Sequence, residues 1–159
     1  MRRLKLLLHT KRPAMVELIA ADRFFPQLNQ CGPEYQLATI LICDDDPYWV
    51  TALGTTLEDF GHTVFGVPDQ EQLYEVITRQ KPDVIFLDVI IPGGGAISQL
   101  SKVRRAARRA KIVVCTGHRY VFTSPVMISG LEEADAKIMK TISHDELREL
   151  IDDLLKEGG

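Results

Sequence analysis

The sequence is poor in cysteine and lacks a long apolar run. Its three Cys are an odd number without a CxxC pair, which excludes a disulfide scaffold and favours a reducing compartment. The four His are scattered and give no support for a structural zinc site. No apolar run approaches the roughly 18 residues of a membrane span, and the short Leu6–Leu8 run after the basic start is too short for a secretion signal. We therefore expect a cytoplasmic protein without a membrane span.

The charged residues are ordinary in number but unevenly placed. Hydrophobic residues make up 45% of the chain and charged residues 26%, a composition typical of a folded globular protein. Residues 1–36 carry six basic and three acidic side chains, whereas residues 37–159 carry the other 13 basic and 19 acidic ones. An acidic globular part argues against direct nucleic-acid binding. We interpret residues 1–36, which several prolines interrupt, as an N-terminal extension of unknown role, and residues 37–157 as the folded domain.

Short apolar runs alternate with helical periodicity along residues 37–157. The runs 37–43, 84–87 and 112–115 are apolar throughout, as strands buried on both faces require. Weaker strands are predicted at 62–67 and 136–139, and a helical segment follows each of the five. This order predicts an α/β fold, a doubly wound five-stranded parallel sheet in a (βα)5 three-layer sandwich.

Polar side chains follow four of the five predicted strands. Asp44 and Asp45 come after the first, Asp88 after the third, Thr116 after the fourth and Lys140 after the fifth. In an open parallel sheet all these strand ends lie along one edge, where ligands bind. Crowded carboxylates need a cation, and an oxygen-only set suits Mg²⁺. The hydroxyl and the ammonium suit a phosphoryl oxyanion, and Asp88 is the best candidate for a carboxylate that forms an acyl phosphate.

Four motifs, in order and at the right spacing, carry a resemblance to a known family. They are 40–47 (ILICDDDP), 83–92 (DVIFLDVIIP), 113–116 (VVCT) and Lys140 after the last strand. The sequence from 39 to 157 thereby resembles the receiver domain of two-component response regulators, which implies the flavodoxin-like fold of stand-alone CheY-like receivers.

The resemblance implies a role for each matching residue. Asp88 would accept a phosphoryl group from a phosphohistidine on a sensor histidine kinase or a histidine phosphotransfer protein. Asp44 and Asp45 would hold Mg²⁺ together with Asp88 and the backbone carbonyl of Ile90. The protein would then signal by contact with an output protein, which the sequence does not identify, or pass the phosphoryl group on within a relay.

The resemblance also implies a phosphorylation switch. At several positions of this switch the sequence differs from what is usual in the family. Thr116 would hydrogen-bond the phosphoryl oxygen, and Lys140 would pair with Asp88 or its phosphate. The family usually has proline after the lysine, where this chain has Thr141, and an aromatic residue three positions before it, where this chain has Lys137. Ile90, two positions after Asp88, cannot position an attacking water, which predicts slow self-dephosphorylation.

The segment 118–128 is more apolar than is usual for the family, and the sequence leaves its role open between core and partner surface. The family's output face lies in this part of the fold. The candidate output residues are Tyr120, Phe122, Met127 and Lys137.

A run of cations without an acid among them lies between 102 and 111. It could be a docking patch for an acidic partner or, as we favour, a solvated helix face. The cations are Lys102, Arg104, Arg105, Arg108, Arg109 and Lys111.

Two other functions compete with a phosphoacceptor switch. The altered positions 118–128, Lys137 and Thr141 would fit a degenerate receiver that binds partners without phosphorylation. An aspartyl nucleophile with Thr and Lys also occurs in haloacid-dehalogenase-type phosphatases, but those enzymes require Thr or Val where this chain has Tyr48. We therefore expect a phosphoacceptor signalling domain rather than an enzyme.

Overall fold

The structure is a computed structural model that describes residues 36–91 and 95–156. All but Gln36 of the predicted extension lies outside the described residues. Strands and helices alternate in the described part. The strands are β1 (Thr39–Cys43), β2 (Thr63–Val67), β3 (Val84–Asp88), β4 (Lys111–Thr116) and β5 (Ala136–Met139). The helices are α1 (Pro47–Asp59), α2 (Gln70–Gln80), α3 (Ala96–Ala106), α4 (Pro125–Gly130) and α5 (His144–Lys156).

The five strands form one parallel sheet in the order β2-β1-β3-β4-β5. The predicted doubly wound fold is therefore confirmed. The three apolar runs of the sequence are its three central strands, and every residue of β3 is buried. The two weaker runs are the edge strands, where burial is only partial.

Alternating side chains of each strand serve two separate cores, as the period of two along a strand requires. In β1, Ile40 and Ile42 face the core formed with α1 and α5, whereas Leu41 and Cys43 face the core formed with α2 and α3. The result is the predicted three-layer arrangement.

Side chains that the sequence offers as caps close the helix ends. Asp46 accepts the amides of the first turn of α1, and Asp69 accepts the amide of Gln72 in α2. Ser143 and Glu146 form a capping box at the start of α5. Gly61, which follows α1, has φ +97°, a conformation that favours glycine. These local signals fix where α1, α2 and α5 begin and where α1 ends beside the sheet.

The segment between β4 and β5 is the part of the described chain that sequence periodicity resolved least. It contains a short 3-10 helix, Arg119–Phe122, which was not predicted, followed by α4. Ser124 is the N-cap of α4 and Pro125 its first residue, the helix position that proline favours. The apolar residues of the segment divide between core and exposed surface, the two roles that the sequence leaves open. Val121 is fully buried, whereas Val126 is 77% exposed.

No helix among residues 36–91 and 95–156 has the length and apolar character to cross a membrane.

The two cysteines of the central strands should be inert toward thiol reagents. Cys43 and Cys115 are buried and free, and burial raises the pKa of Cys43 to about 12. In a Cys31→Ser variant, which leaves only these two thiols, we expect no reaction with an aromatic disulfide at pH 8 until urea unfolds the protein, because little thiolate exists and the sulfur atoms are shielded. Rapid reaction of one equivalent in the native state would contradict this packing.

Candidate functional site

The sheet brings the four predicted strand ends to one edge. Asp44 follows the last residue of β1, and its amide donates to the carbonyl of Val67 at 3.1 Å. Asp88 is the last residue of β3 and Thr116 the last of β4. Lys140 follows β5, and its amide donates to the Thr116 carbonyl at 2.9 Å. Parallel pairing alone therefore places side chains from four strands beside one another.

Three carboxylates form the acidic half of the site. Asp44, Asp45 and Asp88 each offer an oxygen, and these oxygens lie within 4.8 Å of one another. Asp44 is 2% exposed and Asp88 is 8% exposed, whereas Asp45 is open to solvent. Three hard oxygen ligands with one side facing water suit Mg²⁺, which keeps several of its waters when proteins bind it. The donor set thus fits the predicted metal.

The Lys140 ammonium joins two of these carboxylates. Its Nζ lies 2.6 Å from Oδ2 of Asp44 and 3.2 Å from Oδ2 of Asp88. Its third neighbour is the indole ring of Trp49, whose centroid lies 5.9 Å from Nζ, within the outer range of a cation–π contact. The lysine thus links β1 to β3 by charge, although 52 residues separate it from Asp88.

Burial and charge act in opposite directions on the Asp44 carboxyl. Desolvation raises its pKa, while hydrogen bonds from Lys140 and from the amide of Asp46 lower it and the neighbouring Asp88 charge raises it again. The net result is a pKa above the usual 3.8. Keeping Asp44 ionised in the folded protein therefore costs free energy, and additional positive charge nearby would reduce that cost.

The two carboxylates stabilise the charged form of Lys140. Burial by itself lowers the pKa of the ammonium, but the hydrogen bond and charge of Asp44, followed by those of Asp88, raise the pKa overall. Lys140 therefore remains a cation at neutral pH. An ammonium beside Asp88 that is charged at neutral pH can pair with an anionic group attached to this carboxylate.

Thr116 presents a buried hydroxyl at the adjacent strand end. Its side chain is 1% exposed, and its Oγ1 accepts a hydrogen bond from the amide of His118 at 3.1 Å. The backbone bond from Lys140 ties the same residue to β5. The peptide bond between Lys140 and Thr141 is trans. Thr116 is therefore held at the same edge of the sheet as Asp88.

The loop after Asp88 leaves the edge of the sheet at Ile90. This side chain is 55% exposed, so it covers little of the neighbouring carboxylates. The loop returns at Gly95, where an added Cβ would lie 1.7 Å from the carbonyl oxygen of Val89. Only glycine permits so close an approach. The predicted ligand carbonyl of Ile90 thus lies next to this close contact of Gly95 with the Val89 carbonyl.

The candidate output residues occupy different environments. Tyr120 is 51% exposed, whereas Phe122 and Met127 are half-buried against the core on the α2–α3 face of the sheet. Lys137 is exposed on the edge strand β5. The structure thus makes Tyr120 and Lys137 accessible to a partner, while Phe122 and Met127 serve packing as well.

Sequence reasoning missed Trp49, which contacts the site from the first turn of α1. Its Nε1 is buried and has no hydrogen-bond partner among residues 36–91 and 95–156. Its spacing could have revealed it. Trp49 lies three residues, about one helical turn, after Asp46, so its side chain returns to the helix face next to the acidic end of β1.

Replacing the buried carboxyl by its amide should stabilise the protein when no metal is added. The folded-state pKa of Asp44 lies above 3.8. Between 3.8 and this folded-state pKa the native state binds more protons than the unfolded state, so the free energy of unfolding falls as the pH rises through that range and stays lower above it. We expect Asp44→Asn to have a higher free energy of unfolding than the wild type at pH 7 in EDTA, measured by urea titration, and a smaller difference at pH 4.

Asp45→Asn is the matched control, because this carboxyl is exposed and should change the free energy of unfolding little. An Asp44→Asn protein less stable than the wild type at pH 7 would show that the ionised carboxylate contributes net stability instead.

Comparison with known proteins agrees with this geometry. The sequence profile described as "Response regulator receiver domain" matches residues 40–152. Protein PilH of Pseudomonas aeruginosa is 32% identical over 83 residues, which cover 50% of this chain and 69% of PilH. The alkaline phosphatase synthesis transcriptional regulatory protein PhoP of Bacillus subtilis is 30% identical over 120 residues, which cover 75% of this chain and 49% of PhoP. The chain thus spans only about half the length of PhoP.

Solved structures share the fold. A putative response regulator from Chloroflexus aurantiacus superposes with a TM-score of 0.67 at 22% identity, covering 76% of this chain and 99% of that one. The response regulator TrrA from Thermotoga maritima, solved in complex with Mg²⁺-BeF, gives 0.66 at 23% identity and covers 74% and 99%. With the profile match spanning most of the chain, this protein belongs to the response regulator receiver domain family, whose members are phosphoacceptor signalling domains of two-component systems.

Proposed function

We propose that Asp88 is the phosphoacceptor of this domain. The observation that carries the proposal is the contact of its carboxylate with Lys140 at 3.2 Å, in a cluster with the two other carboxylates. An oxygen of Asp88 would form a bond to phosphorus as the bond from phosphorus to the donor imidazole breaks. The imidazole leaves with the electron pair of that bond and takes up a proton from solvent.

The oxygen ligands of Asp44, Asp45 and Asp88, with the backbone carbonyl of Ile90, would hold Mg²⁺. Receiver domains bind this ion at an acidic pocket, and the oxygen cluster here meets its preference. When bound, the ion would supply positive charge beside the phosphoryl and carboxylate oxygens. The raised pKa of Asp44 supports this assignment, because a buried carboxylate that is costly to ionise gains from a second cation.

Phosphorylation would act as a switch through Lys140 and Thr116. The added phosphoryl charge competes with Asp44 for the ammonium, and its oxygens offer an acceptor to the Thr116 hydroxyl. Both residues belong to strand ends joined by the bond from Lys140 N to Thr116 O. A change at Asp88 would therefore reach β4 and β5 together, as phosphate switches bias a two-state element.

The partners would be a sensor histidine kinase or a histidine phosphotransfer protein on the input side and a protein on the output side. Such donors act in the cytoplasm, which is therefore the proposed location. Output through β5 and the segment before it is supported by the exposure of Tyr120 and Lys137. We propose 37–157 as the receiver domain, preceded by an extension at 1–36.

The second candidate is a receiver that binds partners without phosphorylation. The observation in its favour is Lys137, which is exposed on β5 at the position where the family usually has an aromatic switch residue. A lysine there cannot fill the space that Thr116 vacates when it turns inward. The phosphatase alternative loses its basis, since the chain belongs to a family of signalling domains and Tyr48 is 86% exposed.

The wild-type protein should gain one phosphoryl group from acetyl phosphate in Mg²⁺. Intact mass spectrometry should show this gain in the wild type and its loss in Asp88→Asn, because the amide is no nucleophile. Asp69→Asn is the matched control, since this carboxyl lies at the start of α2 and should leave the gain unchanged.

Three outcomes test the phosphoacceptor residue, the competing function and the metal dependence in turn. Phosphorylation that survives in Asp88→Asn would overturn the assignment of this residue. Absence of any gain in the wild type, with the fold intact by circular dichroism, would favour the phosphorylation-independent module. Loss of the gain in EDTA, with recovery on adding Mg²⁺, is expected from the carboxylate cluster.

Phosphorylated protein should lose its phosphate slowly. The Ile90 side chain is 55% exposed and apolar, so it offers no hydrogen bond to an attacking water. We expect Ile90→Asn to shorten the half-life of the phosphorylated form, measured by mass spectrometry after removal of acetyl phosphate, while Ile97→Asn on α3 leaves it unchanged. A wild-type half-life of seconds would contradict this role for Ile90.

A further inference from the structure

A cleft lies at the amino-terminal ends of strands β3 and β4, opposite the strand ends that carry the carboxylate cluster. It has a volume of about 630 Å³ and separates the end of α2 from the turn between α3 and β4. Its lining includes Asp83, just before β3, and Ala110, just before β4. Since Asp88 and Thr116 are the last residues of these two strands, the cleft and the carboxylate cluster are separated by the full strand length. Its volume falls in the range of roughly 300–1,000 Å³ that small-molecule sites occupy.

Four cationic side chains line this cleft and have no hydrogen bond or ion pair in the part of the chain that the structure describes. They are Lys81, Arg105, Arg108 and Arg109. The acid in the lining, Asp83, is engaged elsewhere, because its Oδ2 accepts the amide of Thr39 at 2.8 Å. The rest of the domain is acidic. This positive cluster therefore stands out against the overall charge.

The cation run 102–111 divides by role once its contacts are known. Arg104 donates to the carbonyl of Ala110 at 2.7 Å and pairs with Asp135, which also lies 3.9 Å from Lys111. These two cations therefore serve to anchor the turn. Arg105, Arg108 and Arg109 are exposed in the cleft lining. The solvated-face interpretation thus fits the exposed cations of the run but not Arg104 and Lys111, which are partly buried and lie next to Asp135.

The helix ends account for only part of this positive charge. The carboxyl termini of α2 and α3 both lie at the cleft, and each contributes the equivalent of about half a negative charge. Together with Asp83 they offset about two of the four cations. An excess of about two positive charges remains. Arg108 and Arg109 lie beyond the last residue of α3, where the stabilising effect of a cation on the helix dipole is already falling off.

The backbone beside the cleft is held in place, and part of the cleft lining is apolar. The turn that carries Arg108 and Arg109 is closed by hydrogen bonds from Ala107 N to Val103 O at 2.8 Å and from Ala110 N to Ala107 O at 3.1 Å. The rest of the lining consists of Ala106, Ala107 and Ala110 with Ile77, Thr78 and Pro82. A ligand that carries phosphates and a flat apolar part would contact both the cations and these mostly apolar residues.

The geometry points to a second ligand site in this cleft, one that binds an organic polyphosphate of the nucleoside di- or triphosphate class. The guanidinium groups of Arg105, Arg108 and Arg109 would hold the phosphates by paired hydrogen bonds, which planar forks form better than ammonium groups. The base would pack against the alanines of the lining. This site goes beyond the proposed phosphoacceptor function and does not depend on it.

Calorimetric titration of the full chain with ATP in EDTA tests the proposal, because the absence of Mg²⁺ keeps the nucleotide from the carboxylate cluster. We expect the wild type to bind ATP more tightly than adenosine and more tightly than inorganic triphosphate. The double variant Arg108→Gln/Arg109→Gln should bind ATP roughly 100-fold more weakly, at about tenfold per lost charge-assisted contact.

The matched control is Arg79→Gln/Lys156→Gln, which removes the same charge from exposed cations paired outside the cleft. It should bind ATP as the wild type does, and amide NMR shifts on ATP addition should fall on residues 77–83 and 105–110. Equal weakening in both double variants, tighter binding of a poly-glutamate peptide or an oligonucleotide than of ATP, shifts centred on Asp88, or no binding by the wild type would each overturn the proposal.

Discussion

The ion pairs of one ammonium with two carboxylates organise the functional edge of this fold. Lys140 lies 2.6 Å from Asp44 and 3.2 Å from Asp88, and those acids end neighbouring strands. Without a cation the buried carboxylates would repel one another and pay the cost of desolvation together. The lysine therefore stabilises the arrangement in the structure described. Under the proposed function, the same ammonium would change partner when Asp88 is phosphorylated.

Much of this arrangement could be predicted from the residues themselves. A run such as VIFLD, buried at every position, has no alternative to the centre of a parallel sheet, and the sheet then brings the strand ends together whatever the sequence separation. Asp69 and Ser143 mark helix starts through hydrogen bonds that depend only on near neighbours. Predictions built on local pattern or on topology therefore agreed with the structure.

The segment between β4 and β5 was harder, because its order depends on packing against distant residues. The 3-10 turn at Arg119–Phe122 buries Val121 while leaving Tyr120 exposed, and no short-range period encodes that division. Trp49 and the cationic cleft were missed for a similar reason. Which of six neighbouring cations are anchored and which are exposed depends on Asp135, far along the chain.

The central claim concerns where a metal and a phosphoryl group would bind, so the most direct measurement is a crystal structure of the protein with Mg²⁺ and beryllium fluoride. The account predicts beryllium on an Asp88 oxygen, magnesium among the oxygens of Asp44, Asp45 and Asp88, and the Lys140 ammonium turned from Asp44 toward a fluoride. A structure grown in excess ligand, in which Lys140 keeps both ion pairs and the carboxylates hold neither group, would contradict it.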